Sequence, residues 1–192
     1  SRGDAVIFET RREFKTATGT PRIIKELLQM IFCAELLKSS ERQIWIVSPW
    51  LSNVEIFDNR SGYFADVNPD WPCTAIRLIA VLLELLIQGS EVNIVVDSEE
   101  EKSKNNRHND KFFAAINKRI HHEGVGSKIS LMKSNNLHTK GFLFDSGFLS
   151  GSMNMTFNGL EVLDEYIVYD RSKDAISKAR LAFEAYLETN DD

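Results

Sequence analysis

Cysteine is scarce in this chain, and what there is does not cluster. Cys33 and Cys73 are the only two among 192 residues, and they lie in or beside apolar segments with no CxxC spacing and no grouped histidines. That pattern excludes a disulfide framework and a zinc site of ordinary spacing, and it favours a reducing cytoplasm. Long hydrophobic runs are missing too. The longest, "AIRLIAVLLELLIQG" from Ala75 to Gly89, is broken by Arg77 and Glu84 and falls short of the roughly 20 apolar residues of a membrane span. It reads as a buried helix. The opening residues "SRGDAVIFET" show neither the basic nor the apolar region of a secretory leader, and the lack of an initial Met leaves a processed or trimmed end open. There is no excess of positive charge, the formal net charge being −5, so the chain does not coat itself in polyanion. No internal repeat is visible.

What is present is ordinary globular composition, 43% hydrophobic and 27% charged, which predicts one domain spanning residues 1–192. The charge is uneven: residues 101–140 hold nine Lys or Arg against three Asp or Glu, a local balance of +6. Such a patch draws phosphate-bearing substrates; alternatively "SEEEKSKNNRHNDK" is a solvated loop leading into a helix.

Thr20-Pro21 matches an N-cap followed by proline at the first helical position, and "RIIKELLQMIFCAELLKSS" then has helical spacing to about Lys38. "QIWIVSPWL", Gln43 to Leu51, reads as a buried strand ending in a loop at Ser48-Pro49. From Ser52 to Cys73 no period persists, which predicts a long, substrate-facing excursion. A helix from about Thr74 to Gln88 closes at Gly89, and "EVNIVVD" follows as a strand, giving a βαβ unit. After the polar stretch 98–109 come an amphipathic helix closing on Gly124, a strand "KISLMK", and two strands "KGFLFD" and "GFLSGS" in a hairpin turning at Ser146-Gly147. "EYIVYD" and a last helix begun by Ser172 complete the chain. The order predicts an α/β fold, a layered α-β-α domain with a mixed central sheet.

Around the hairpin sits an unusual polar set. His138 and Lys140 are two apart, so along a strand their side chains share a face. Ser152 and Asn154 repeat that spacing after the next strand, and antiparallel pairing brings the couples to one region. A nucleophile or base, a fixed cation, a hydroxyl and an amide together suit a phosphate.

"HTKGFLFD" followed by "GSMN" resembles the HxKxxxxD and GSxN signature of the phospholipase D superfamily. His138, Lys140 and Asp145 fit the first part, and Gly151, Ser152 and Asn154 the second. Glu165 stands where nucleases of that family keep an acid that holds the histidine. The motif covers about a sixth of the chain, and "IVSPWLS" and "VNIVVD" also look like the family's domain. One departure is that five residues rather than six separate Asp145 from Gly151. Another is that no second copy exists: His108, His121 and His122 lack a lysine two positions on.

The resemblance implies a mechanism with two such histidines, one attacking phosphorus to form a phosphohistidine and the other protonating the leaving oxygen. Single-copy members pair two subunits about a two-fold axis, so a homodimer with a shared active site is expected. His138 then attacks, its mate serves as acid and later activates water, and Glu165 fixes the imidazole tautomer. Lys140 and Asn154 hold the non-bridging oxygens. Ser152 bonds locally or to phosphate, while Asp145, five residues beyond Lys140 and on the opposite strand face, is structural. No metal and no cofactor are called for.

Outside the motif, Trp50 beside Ser48-Pro49 is a candidate substrate contact at a strand end, Trp45 reads as core, and His121 and His122 read as solvent-exposed. The expected activity is a nuclease of the kind found in bacterial DNA-modification or defence systems, with nucleic acid as substrate and a larger bacterial complex as a candidate partner. Alternatives are a phospholipid-hydrolysing enzyme, disfavoured by the lack of an amphipathic surface helix with an exposed apolar face, and a non-catalytic nucleic-acid-binding or scaffold subunit.

Overall fold

Six of the seven residues of the strand Glu91–Asp97 are buried, and a strand with no solvent face needs cover on both sides. The computed structural model of the chain, which describes residues 9–15, 22–38, 42–98, 108–156, 160 and 165–188, shows how that cover is built. The elements are β1 (Thr10–Lys15), α1 (Arg22–Leu36), β2 (Gln43–Val47), β3 (Glu55–Asp58), β4 (Ala75–Arg77), α2 (Leu78–Ile87), β5 (Glu91–Asp97), α3 (His108–Glu123), β6 (Ile129–Ser134), β7 (Gly141–Phe144), β8 (Gly147–Gly151), β9 (Glu165–Asp170) and α4 (Lys173–Glu188).

Seven strands form one mixed sheet in the order β1-β9-β8-β7-β2-β5-β6. β2, β5 and β6 are parallel, joined by crossovers through α2 and α3, and the four remaining strands add antiparallel. Alternation along each strand sorts the core into two layers. Ile44, Ile46, Val92, Ile94, Phe142 and Phe144 face the helices α1, α2 and α3 in the larger cluster. Trp45, Val47, Val95 and Leu143 face α4 through its Ala179 and Phe183. The Phe183 side chain, 2% exposed, contributes about 2 kcal/mol by burial.

α4 begins as expected, with the Ala175 N–H donating to Ser172 Oγ at 3.2 Å. Just before it, Asp170 accepts from the Ser172 N–H at 2.8 Å, and that bond holds its carboxyl below the usual carboxylate range.

The far end of the β7–β8 hairpin is fixed on both faces. Ser146 Oγ donates to Glu35 of α1, which is fully buried and paired with Lys38 at 2.6 Å and Arg42 at 3.4 Å. On the other face Arg180 of α4 reaches Asp145 and Gln43, each at 2.9 Å. A hairpin held at one end this way keeps a defined register at the other.

Several expectations needed revision. The hairpin turns at Asp145 and Ser146, one residue earlier than predicted, with Gly147 already paired to Phe144. β2 ends at Val47 with the loop at Ser48-Pro49 following, as expected, and Leu51 beyond it forms an isolated bridge to Met155. The excursion after Ser52 is not without structure: β3 and β4 pair in a second, two-stranded sheet, and Phe57 stacks against Phe64 and Trp71 with ring centroids 4.8 and 5.3 Å apart. Because Ala75–Arg77 is used in β4, α2 starts at Leu78 rather than Thr74. β1 was not anticipated; it is an edge strand that pairs through its backbone with β9, and "TRREFK" has no apolar alternation to announce it. The Thr20-Pro21 cap and most of the polar stretch before α3 lie outside the described residues.

Candidate active site

β2 pairs β7 with Val47 opposite Gly141, β7 pairs β8 with Gly141 opposite Ser150, and β8 pairs β9 with Gly151 opposite Ile167. Extending each register one or two residues brings Ser48, Lys140, Gly151 and the start of β9 to a single edge of the sheet. That edge is where the parallel strands β2 and β5 end, the place where open α/β sheets bind ligands.

His138 and Lys140 lie in the irregular segment just before β7, not within it. Leu137 beside them is 4% exposed and anchored in the smaller core, whereas His138 is exposed. Lys140 Nζ folds back to donate to the His138 carbonyl at 3.3 Å, which keeps the ammonium next to that residue. Lys140 also lines a shallow cleft of about 10 Å3 with Phe142, Leu149, Gly151, Met153 and Ile167.

Ser152 continues the β8–β9 ladder: its N–H donates to the Tyr166 carbonyl, and its Oγ accepts from the Tyr166 N–H, both at 3.0 Å. Its hydroxyl is therefore bonded locally. Asn154 follows, and its Oδ1 is buried with no hydrogen-bond partner. Buried amide groups are nearly always satisfied, so an unpartnered one at this edge calls for a reason; rotated by half a turn, the same amide presents a donor. The next residue is fixed in turn, as Met155 N–H donates to Ser48 Oγ at 3.2 Å and its carbonyl accepts from the Ser52 N–H at 2.9 Å.

Glu165 opens β9 at the same edge, but its side chain lies outside the described set, and so does its expected bond to a histidine. Asp145 sits at the opposite end of β7, engaged with Arg180 at 2.9 Å. Trp50 is half-buried in the turn after β2, where its carbonyl accepts from Ser48 Oγ at 2.7 Å. Trp45 is fully buried and tilted against Phe183 at 6.0 Å. His121 and His122 are exposed on α3. Of the described cations of the basic window, Lys140 lies at this edge, Lys133 is paired with Asp110 at 2.7 Å and Lys128 bonds the Gly89 carbonyl at 3.0 Å near the far end of the sheet; residues 101–107 lie outside the described set.

A positioning residue escaped sequence reasoning. Asn109, in the first turn of α3, is fully buried; its Oδ1 accepts from the Leu51 N–H at 2.9 Å and its Nδ2 donates to the carbonyls of Pro49 at 2.8 Å and Asp97 at 3.3 Å. It ties the ends of β2 and β5 together, and Leu51, which it holds, bridges Met155. Nothing in "RHNDK" distinguishes this asparagine from its polar neighbours.

A mixed sheet between helical layers, with a His, Lys, Ser and Asn set at the ends of its parallel strands, defines a phosphodiesterase fold. Residues 33–187 match the family model described as "Cardiolipin synthase, PLD-like domain", and the chain belongs to that PLD-like family. Solved structures agree on the fold. The chain is similar to the phospholipase D family member Nuc from Salmonella typhimurium, at 15% identity over 94% of this chain and 95% of that one, with a TM-score of 0.56. NucT from Helicobacter pylori is similar at 16% identity over 94% and 97% of the two chains, with a TM-score of 0.51. Phosphatidylserine synthase from Haemophilus influenzae shares 14% identity over 92% of this chain but 37% of its own, with a TM-score of 0.55. No curated protein sequence matches the chain. Among the described residues no helix is long and apolar enough to cross a membrane.

Proposed function

We propose that this chain is a metal-independent nuclease, hydrolysing nucleic-acid phosphodiesters through a phosphohistidine at a site shared by two copies. The observation that carries the reading is the strand register, which gathers Lys140, Gly151, Ser152 and the start of β9 at one edge, with Asn154 next along the chain. His138 of one copy attacks phosphorus; the leaving oxygen takes a proton from His138 of the other. Water, deprotonated by that second imidazole, then displaces the first from phosphorus and restores both. Lys140 and the Asn154 amide hold the non-bridging oxygens as negative charge builds on them. Ser152, with its hydroxyl on the Tyr166 N–H, sets the conformation of the segment leading to Asn154. Glu165, first residue of β9, is assigned the carboxylate that orients the imidazole.

Support for a shared site comes from the exposure of His138, which leaves its imidazole open to a second copy. The similarity to Nuc and NucT, over nearly the full length of both, favours a small nuclease of this kind. A second reading, lipid phosphodiester hydrolysis, draws on the family's description and on the phosphatidylserine synthase likeness.

The test is cleavage of labelled single- and double-stranded DNA, RNA and a phospholipid in EDTA, with His138→Ala alongside. Expected is nucleic-acid cleavage in EDTA that falls at least about a hundredfold in the variant, in keeping with loss of a nucleophile and acid. Cleavage of lipid alone favours the second reading, and binding without cleavage returns the chain to a scaffold role.

A further inference from the structure

Ser48 is 1% exposed and stands where β2 gives way to its turn. Its N–H still belongs to the sheet, donating to the Val95 carbonyl of β5 at 3.0 Å. The side chain leaves the ladder. A hydroxyl has one proton and two lone pairs; here the proton goes to the Trp50 carbonyl at 2.7 Å, and a lone pair accepts from the Met155 N–H at 3.2 Å. Neither bond can be reversed, since a carbonyl only accepts and an N–H only donates.

Met155 lies past the end of β8 at Gly151, and the turn after β2 serves it as a strand would. Ser48 Oγ takes its N–H, the Ser52 N–H reaches its carbonyl at 2.9 Å, and Leu51 between them makes the parallel bridge. The turn is itself held from behind. Asn109 bonds the Leu51 N–H and the Pro49 carbonyl, and the Asp97 N–H donates to that same carbonyl at 3.2 Å. A hydroxyl on so rigid a support is a fixed reference point.

What it holds is the peptide group joining Asn154 to Met155. Met153 and Met155 are both buried in the larger core cluster, so Asn154 lies between two anchored neighbours. Its Oδ1 is buried without a partner among the described residues, so the amide takes its direction from the backbone on either side. We propose that Ser48 is a positioning residue for phosphoryl transfer at this edge: by holding the Asn154–Met155 peptide it aims the Asn154 amide at the non-bridging oxygens, and this rests on the role given to Asn154 above. A misaimed donor loses most where charge has grown largest, so the effect falls on the transition state more than on substrate binding.

The test is a double-mutant cycle with Asn154, read on bis(p-nitrophenyl) phosphate and on labelled single-stranded DNA. Ser48→Ala is expected to lower kcat by about tenfold or more, with KM changed by less than about twofold. In an Asn154→Ala background the same change is expected to cost nothing further, since the group it positions is gone. Unchanged kcat in Ser48→Ala, or equal losses in the two backgrounds, makes the serine purely structural and overturns the proposal. Should the alanine variant not fold, Ser48→Cys, which keeps the shape of the side chain and weakens both bonds, takes the same measurements. Binding of inorganic vanadate, a five-coordinate mimic of the transferring phosphoryl group, is followed alongside through the side-chain amide signal of Asn154 in heteronuclear NMR, which needs no turnover. Vanadate is expected to move that signal in the parent and to bind about tenfold more weakly to Ser48→Ala. Ser48-dependent vanadate binding without cleavage of any diester keeps the positioning role and removes the nuclease reading. Cleavage indifferent to Ser48 does the reverse, and a parent that neither cleaves nor binds vanadate at Asn154 overturns both.

Discussion

Gly151 shows how much a motif residue can owe to backbone geometry. A Cβ built there would lie 2.0 Å from the Tyr166 carbonyl oxygen, at a φ of +153°. No side chain fits without separating β8 from β9, and the two hydrogen bonds that Ser152 shares with Tyr166 are the next in the ladder. Gly151→Ala is expected to destabilise the fold by about 3 kcal/mol and to lower activity more than stability alone predicts, since the segment carrying Asn154 shifts with it. Thermal unfolding and kcat measured well below the variant's melting temperature check this. The glycine, serine and asparagine of the motif were legible as residues. Which of its two expected partners Ser152 takes, and that Asn154 Oδ1 is buried without one among the described residues, was not, because both depend on the strand that packs alongside.

At the scale of elements, the edge depends on a turn that none of the motif residues belongs to. Ser48 to Leu51 follows β2, and Asn109 holds it from α3 by two bonds to its backbone, with a third to the Asp97 carbonyl at the end of β5. Asn109→Ala leaves the buried Leu51 N–H and the Pro49 carbonyl without their partner, a loss of about 3 kcal/mol. Ser48 and Met155 then lose a fixed reference, so the expected signature is a fall in kcat with little change in KM for a small diester, beside a lower melting temperature. A fall in stability alone, with kcat unchanged, makes Asn109 purely structural. β2, β5, β7 and β8 were readable because β-branched and aromatic runs bounded by glycine, proline or polar turn residues have little else to do. β1 and the β3–β4 pair were not, since their pairing comes from backbone contacts and an aromatic cluster that distant residues create.

For the whole molecule the question is what lies across the exposed His138. One copy of the motif provides one imidazole, and two-step transfer through a phosphohistidine uses two. Light scattering at low concentration is expected to give twice the monomer mass, and a monomer that still cleaves would remove the shared site. The net charge of −5 does not by itself oppose binding of a polyanion, because such a ligand meets the local field at its site, not the sum over the surface. The chain by itself determined the layered α/β arrangement and the residues of the motif, since hydrophobic period and residue spacing are local properties. Only the tertiary structure decided that Asn109 ties the ends of β2 and β5, that Lys133 is taken up by Asp110, and that Asp145 is engaged by Arg180. Those depend on which distant segments pack together, and burial, partners and field are properties of that packing.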